Sequence, residues 1–351
     1  MLHEILAEYG IIGNPRPYGD GHINSTYRIG DEYILQRINT AVFPRPDEVM
    51  ANSFAVTGYI RRNLALAGID PSRKTLEFLR TTDGSMLVNA PDGAYRLSRH
   101  IGNTFSYTDE KTPDILYGAA KVIGEFQNFL SDFDAARLYT VIPDFHTTPK
   151  RVENLKRSIE RNASGRADFV KDEIAFALSL EDMAHVVTDA IDANDVPIRV
   201  SHNDTKLNNI LFDGKTGEGL CLIDLDTVMS GSYLYDFGDA LRFGGTYAAE
   251  DSTDLANVKF ELPLFEAFTK GYLESARDVL TDGEKKLLFM SVPLMTYEVG
   301  IRFLTDYIDG DVYFKTHYKE HNLDRARNQF TLVKDMLAKK DEAEALVKKY
   351  L

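Results

Sequence analysis

Apolar and polar positions along this chain follow two different rhythms. From residue 12 to residue 102 the period is close to two. Ser25-Thr-Tyr-Arg-Ile29 and Glu32-Tyr-Ile-Leu-Gln36 flank Gly30-Asp31, a glycine–acidic turn of hairpin character. Ser85-Met-Leu-Val88 and Ala94-Tyr-Arg-Leu-Ser98 bracket a second turn, Pro91-Asp-Gly93. One helical stretch interrupts them, with Val49, Met50, Phe54, Val56, Ile60 and Leu64 spaced along Asp47 to Leu66. After Gly102 the period lengthens. Ile115, Ala119, Val122, Ile123, Phe126 and Phe129 recur at three and four residues and so share one helix face. The same rhythm predicts helices over 151–161, 172–191, 260–276, 283–305 and 323–350, and a short amphipathic helix opens the chain and ends at Gly10. Residues 197–227 read as loop and short strands, Pro197-Ile-Arg-Val200, Asn209-Ile-Leu-Phe212 and Leu220-Cys-Leu-Ile-Asp224. The pattern predicts an α+β chain of two lobes. A strand-rich lobe spans 1–101, a helical lobe spans 102–351, and the crossover lies near 98–103.

Composition narrows the partners. The chain of 351 residues carries 40 Lys and Arg against 54 Asp and Glu, a net charge of −14. Such a chain is a poor electrostatic partner for nucleic acid or an anionic membrane. No apolar run approaches the roughly 18–20 residues of a membrane helix, and the first residues lack the basic stretch of a signal peptide. A single cysteine, Cys221, excludes an intrachain disulfide framework and a cysteine-built zinc site. A reducing cytoplasm is the expected compartment, and a monomer or weak dimer the expected state.

The chemistry concentrates at Ser201-His-Asn-Asp-Thr-Lys-Leu-Asn-Asn-Ile-Leu211 and, twenty residues after Asp204, at Ile223-Asp-Leu-Asp226. Two short strands, each leading into or out of a polar cluster, suit a divalent ion. Magnesium takes oxygen ligands, few of them from protein and the rest from water and phosphates. Asn209 offers an amide oxygen and Asp224 a carboxylate. Asp204, five residues before Asn209, is placed to accept a proton from a hydroxyl nucleophile. His202, Asp204 and Asn209 match the His-x-Asp-x-x-x-x-Asn pattern of phosphoryl-transfer loops. Near the front, Tyr18-Gly-Asp-Gly-His-Ile-Asn-Ser-Thr-Tyr27 can lay backbone N–H groups of a turn at Gly19 and Gly21 over phosphates. His317 and His321 stand four apart, but no third zinc ligand accompanies them, and a polar cap is the expected role.

These segments, together with Asp236-Phe-Gly-Asp239, resemble the aminoglycoside phosphotransferase/choline kinase family of protein-kinase-like enzymes. Pro17-Tyr-Gly-Asp-Gly-His-Ile-Asn24, Arg242-Phe-Gly244, Arg302-Phe-Leu-x-Asp-Tyr307 and Glu320-His-Asn-Leu323 are similar, within that family, to kinases of N-acetylhexosamines, over nearly the whole chain. The resemblance implies a bilobal kinase-like fold and ATP-dependent phosphorylation of the anomeric hydroxyl of a small sugar. It implies Asp204 as the catalytic base, Asn209 and Asp224 as holders of Mg2+, and a possible second ion or water at Asp226. It implies a hinge at Arg99, His100 and Ile101 for adenine, and a sugar wall of His22, Asn24, Phe243 and Arg302. A different small hydroxyl substrate and a nucleotide-binding pseudokinase are the rival readings. One departure stands out. Protein kinases hold phosphates with a strand lysine, whereas Tyr33-Ile-Leu-Gln-Arg-Ile38 has Gln36 there, with Arg37 on the opposite sheet face. Asp236 is expected to order the neighbouring loop or helix start rather than a metal.

Overall fold

The computed structural model describes residues 1–19 and 24–351. In chain order the first part holds α1 (Leu2–Glu8), β1 (Pro15–Pro17), β2 (Ser25–Ile29), β3 (Tyr33–Ile38), α2 (Pro46–Leu66), β4 (Phe78–Leu79), β5 (Val88–Ala90), β6 (Gly93–Arg99) and β7 (Thr104–Phe105). The second part holds α3 (Pro113–Phe129), α4 (Thr148–Arg161), α5 (Lys171–Ser179), α6 (Val186–Asp192), β8 (Arg199–Ser201), β9 (Ile210–Asp213), β10 (Gly219–Leu222) and β11 (Met229–Gly231). It ends with α7 (Tyr233–Gly244), α8 (Leu262–Ala276), α9 (Asp282–Asp309), α10 (His321–Ala338) and α11 (Lys340–Tyr350).

Residues 15–99 build one antiparallel sheet in the order β1-β2-β3-β6-β4, with β5 also paired to β6. Alternation sorts its side chains. Leu35 and Leu97 face Ile5, Leu6 and Tyr9 of α1. Ile38 and Ala94 join Val49, Met50 and Ile60 of α2 in the main core. β7 belongs to a different sheet, ordered β10-β9-β7. The chain therefore leaves the first lobe after Arg99 and enters the second at Thr104.

In the helical lobe, α3 and α8 pack so closely that glycine is required at both faces. A Cβ on Gly271 would stand 2.3 Å from the Tyr117 carbonyl oxygen, and one on Gly124 would stand 2.8 Å from that of Tyr272. Helix α9 runs through the middle. A capping box starts it, with Thr281 Oγ1 accepting from the Glu284 N–H and Glu284 accepting from the Thr281 N–H.

Three expectations change here. The stretch 172–191 is not one helix but breaks at Leu180 into a 3₁₀ turn, Glu181–His185, which buries Met183 and Ala184. The stretch 323–350 breaks at Lys339, whose Nζ donates to the Phe260 carbonyl oxygen at 2.7 Å, and α11 then folds back onto α8. By length and hydropathy α9 does qualify as a membrane span, at a mean of 1.4 over eighteen residues, but 83% of that window is buried inside the protein. Its apolar character, interrupted by Glu298 and Arg302, is that of a central core helix surrounded by other elements. Helix α7 carries Asp236, Asp239 and Arg242 three residues apart, yet every residue in it but Phe243 is buried, so its polar stripe faces other protein groups rather than solvent.

Two glycines test this packing in opposite directions. Gly271→Ala should destabilise the protein by about 1–3 kcal/mol, as core overpacking does. Gly58→Ala, on the exposed face of α2 with nothing within 4 Å, should stabilise by about 0.5–1 kcal/mol. Thermal unfolding of both variants checks the pair, and equal shifts would contradict the described α3–α8 contact.

Candidate active site

The loop that follows β8 is built around one buried carboxylate. Asp236, in the first turn of α7, accepts from Ser201 Oγ at 2.9 Å and the Asn203 N–H at 2.8 Å on one oxygen. Its other oxygen accepts from the His202 N–H at 3.0 Å and Gln127 Nε2 at 3.2 Å. Burial pushes this carboxyl up from its ordinary range, and the donors on both oxygens favour the ionised form against that penalty. Thr205 Oγ1 donates to the Asp236 carbonyl at 2.7 Å. Together these bonds fix the backbone from 201 to 205, including the left-handed turn at Asn203 (φ 66°). His202 completes the frame. Nε2 donates to the Ile223 carbonyl at 2.9 Å, and Nδ1 accepts from the Asp204 N–H at 3.3 Å. Both ring nitrogens are thus committed to backbone, as expected for an ordering histidine.

The fixed turn presents Asp204 beside Asn209. Asn209 Nδ2 donates to the Asp204 carbonyl at 2.8 Å and to its Oδ2 at 3.0 Å. With its amide hydrogens on Asp204, Asn209 keeps Oδ1 as a free acceptor. The β9–β10 hairpin brings Asp224 to the same end, because Leu222 pairs with Ile210 and the Ile223 N–H donates to the Asn209 carbonyl at 2.9 Å. Asp224 sits in a left-handed turn, φ 60° and ψ 61°. Burial, and then the nearby Asp226 and Asp204, push its carboxyl up to about 6. Lys206 Nζ lies 3.0 Å from Asp204 Oδ2. Burial alone would lower its pKa, but Asp204, with Asp239 and Asp224, raises it above the ordinary lysine value. An oxygen-only, charge-rich set of this kind fits magnesium. Among the described residues no group of three or more His, Cys, Asp or Glu can hold a metal alone, which suits an ion that arrives with phosphates.

The sheet supplies the opposite wall. Gly19 ends the described part of the glycine-rich turn with φ 73°; Gly21 and His22 lie outside the described residues. Gln36 Nε2 donates to Thr26 Oγ1 at 3.1 Å, and Gln36 Oε1 accepts from Arg96 Nε at 3.0 Å. Arg96 is ion-paired with Asp226, both almost fully buried. Asn24, expected in the sugar wall, instead donates to Asp226 Oδ2 at 2.7 Å and accepts from the Asn39 N–H at 3.0 Å. Each oxygen of Asp226 thus accepts from a protein donor, Arg96 on one and Asn24 on the other. Arg37 points away, to Asp92 and Ser25. At the hinge, the N–H of Arg99 donates to the Glu77 carbonyl and that of His100 to the Glu32 carbonyl, both at 2.8 Å. The His100 ring packs against Tyr18. Ile101, in contrast, has no partner for its N–H among the described residues.

A cavity of about 280 Å³ opens in the helical lobe between α4, α9 and the segment that follows α9. Arg302 and Arg151 line it, with Phe145, Tyr313 and Phe314 as aromatic walls. The Arg302 guanidinium lies 5.5–5.9 Å from those three ring centroids. Arg151 donates to the Phe145 carbonyl at 2.8 Å and keeps a buried Nε without a partner. Burial, with Arg302 close by, pulls its pKa down. The lining acids are spent elsewhere: Asp306 accepts from the N–H groups of Val312, Tyr313 and Phe314, and Asp309 pairs with Arg161. His146, whose ring packs against the lining residue Phe145, bonds Glu298 Oε1 at 2.8 Å and the Asn203 carbonyl at 3.4 Å. Phe243 is not in this lining; its ring lies 4.5 Å from Lys111 Nζ. His321 is buried against Asp251 and the His317 N–H, a cap rather than a metal pair. Sequence spacing identifies Asp204, Asn209 and Asp224 as neighbours, but gives no signal for Arg96, whose partner Asp226 is 130 residues away, or for the meeting of Arg151 with Arg302 and Tyr313 in the cavity.

Comparison with known proteins agrees with this architecture. The model of a family described as Phosphotransferase enzyme family matches residues 15–265. A spectinomycin phosphotransferase in complex with ADP and spectinomycin superposes with a TM-score of 0.57 at 15% identity, covering 97% of each chain. An aminoglycoside phosphotransferase from Alicyclobacillus acidocaldarius gives 0.61 at 13% identity, covering 99% of this chain and 96% of its own. A choline/ethanolamine kinase family protein from Mesorhizobium loti gives 0.55 at 16%, covering 99% and 98%. At these identities the likeness is one of fold.

Replacing Asp236 by Asn would set an amide donor against donors already in place. Asp236→Asn should cost about 3 kcal/mol, the range for breaking a buried charged network. Thermal unfolding should show a midpoint lower by several degrees, and an unchanged midpoint would contradict the organising role.

Proposed function

We propose, for a chain that belongs to the phosphotransferase enzyme family, that it moves the terminal phosphoryl group of ATP to the anomeric hydroxyl of an N-acetylhexosamine. Asp204 accepts the hydroxyl proton, and Lys206 meets the charge on the phosphoryl group in flight. Asn209 Oδ1 and the Asp224 carboxylate are the groups that would hold magnesium. Magnesium supplies charge neutralisation on the phosphates. The turn at Gly19 and Gly21 covers the triphosphate with backbone N–H groups, Gln36 adds a side-chain donor, and the segment at Arg99, His100 and Ile101 receives adenine, with the Ile101 N–H as its donor. Phosphoryl transfer demands mainly in-line positioning and electrostatic stabilisation. An anomeric hydroxyl is acidic enough for a carboxylate base to serve.

The observation that carries the sugar reading is the make-up of the cavity: Arg151 and Arg302 line it together with Asp306 and Asp309, and Asp309 is further paired with Arg161. The lining therefore has no net negative charge to draw a cationic acceptor such as choline, ethanolamine or an aminoglycoside. A neutral ring fits better: aromatic walls pack its C–H faces, and guanidinium donors reach hydroxyls and an acetamido oxygen. His22 and Phe243 remain part of the proposed sugar wall.

The test is a panel of acceptors with magnesium-ATP, read by phosphorus NMR. N-acetylglucosamine and N-acetylgalactosamine should give 1-phosphates, and choline, ethanolamine and aminoglycosides should not react. Turnover of the cationic acceptors, with none of either N-acetylhexosamine, would overturn the reading.

A further inference from the structure

Where the strand lysine is expected, this chain has an uncharged glutamine, and the neighbouring strand supplies a cation instead. Gln36 on β3 and Arg96 on β6 are register partners, so both side chains leave the same face of the sheet. Arg96 Nε donates to Gln36 Oε1 at 3.0 Å, its Nη1 donates to Asp226, and its guanidinium rests 5.6 Å from the Phe78 ring centroid. Arg96 and Asp226 are 2% and 4% exposed, and they join the sheet to the segment that carries Asp224. Arginine can only donate. Its presence therefore forces the Gln36 oxygen inward and the amide nitrogen toward Thr26 and the cleft. Thr26 Oγ1 takes one amide hydrogen at 3.1 Å; the other has no partner among the described residues.

We propose that the Arg96–Asp226 pair replaces the lysine–glutamate pair of protein kinases, as a positioning device for nucleotide phosphates. Gln36 is the group that touches phosphate, through Nε2. Arg96 acts through it: it fixes the amide orientation, and it sets a buried positive charge behind a donor that has none of its own. Asp226 holds Arg96 in place and ties that arrangement to the metal-holding hairpin end. The inference rests on the nucleotide reading above and adds to it the residues that take over the lysine's task.

The discriminating variant is Gln36→Glu. A carboxylate at 36 keeps, and charges, the bond to Arg96, so the thermal midpoint should stay the same or rise. It also presents negative charge to the phosphates and removes the donor. Calorimetric affinity for magnesium-ATP should fall on the order of ten- to a hundredfold, the scale of one charge-assisted hydrogen bond, while adenosine affinity stays within about twofold. Arg96→Met should give the same split between ATP and adenosine, with partial recovery in Arg96→Lys. ATP and adenosine affinities that move together, or Gln36→Glu with unaltered ATP affinity, would overturn the proposal while leaving nucleotide use intact. A native protein that binds no magnesium-ATP would overturn both.

Discussion

The active-site loop depends on one buried negative charge. Asp236 is sealed from solvent, and backbone N–H groups of His202 and Asn203, the Ser201 hydroxyl and the Gln127 amide converge on it. A carboxylate in that setting is tolerable only while its donors stay in place. The constraint runs both ways. The loop cannot relax without stranding the charge, and the charge cannot leave because α7 is packed on all sides. Tyr272 extends the frame by donating to Gln127 Oε1 at 2.5 Å, which carries the constraint into α8. Rigidity at Asp204, which makes no such contacts itself, is inherited from this network.

Charge in the rest of the molecule is arranged locally, and the net value of −14 describes no single site. Acids gather at Asp204, Asp224 and Asp226, and burial together with the neighbouring carboxylates pushes Asp224 up to about 6. Cations stand among them, with Arg96 on Asp226 and Lys206 on Asp204. Arg151 and Arg302 form a separate pair in the cavity, beside Asp306 and Asp309. The remaining surface acids weigh on solubility and on exclusion of nucleic acid.

How much of this was legible in the chain depends on how far apart the partners lie. The strand-to-helix change of period near residue 102 and the close spacing of Asp204 and Asn209 are local signals, and both were readable. So was the contrast between Gln36 and Arg37, which strand alternation sends to opposite faces. Arg96 and Asp226 are 130 residues apart, and nothing in either neighbourhood marks them as a pair. Arg151 and Arg302 likewise meet only because α4 lies against α9. In helix α7 the polar stripe of Asp236, Asp239 and Arg242 has the spacing of a solvent face, whereas the fold buries it against Ser201, His202 and Glu250. Asn24 and Asp226 are 202 residues apart, and no local pattern marks the bond between them.

The central claim is that a rigid loop presents Asp204 as the proton acceptor of a phosphoryl transfer. It is tested most directly by single-turnover transfer from magnesium-ATP to N-acetylglucosamine in Asp204→Asn, with the nucleotide dissociation constant measured alongside. The asparagine keeps the shape and loses the proton acceptor. Transfer should slow by about three orders of magnitude while nucleotide affinity changes by no more than a few-fold. Transfer at near the native rate would contradict the account.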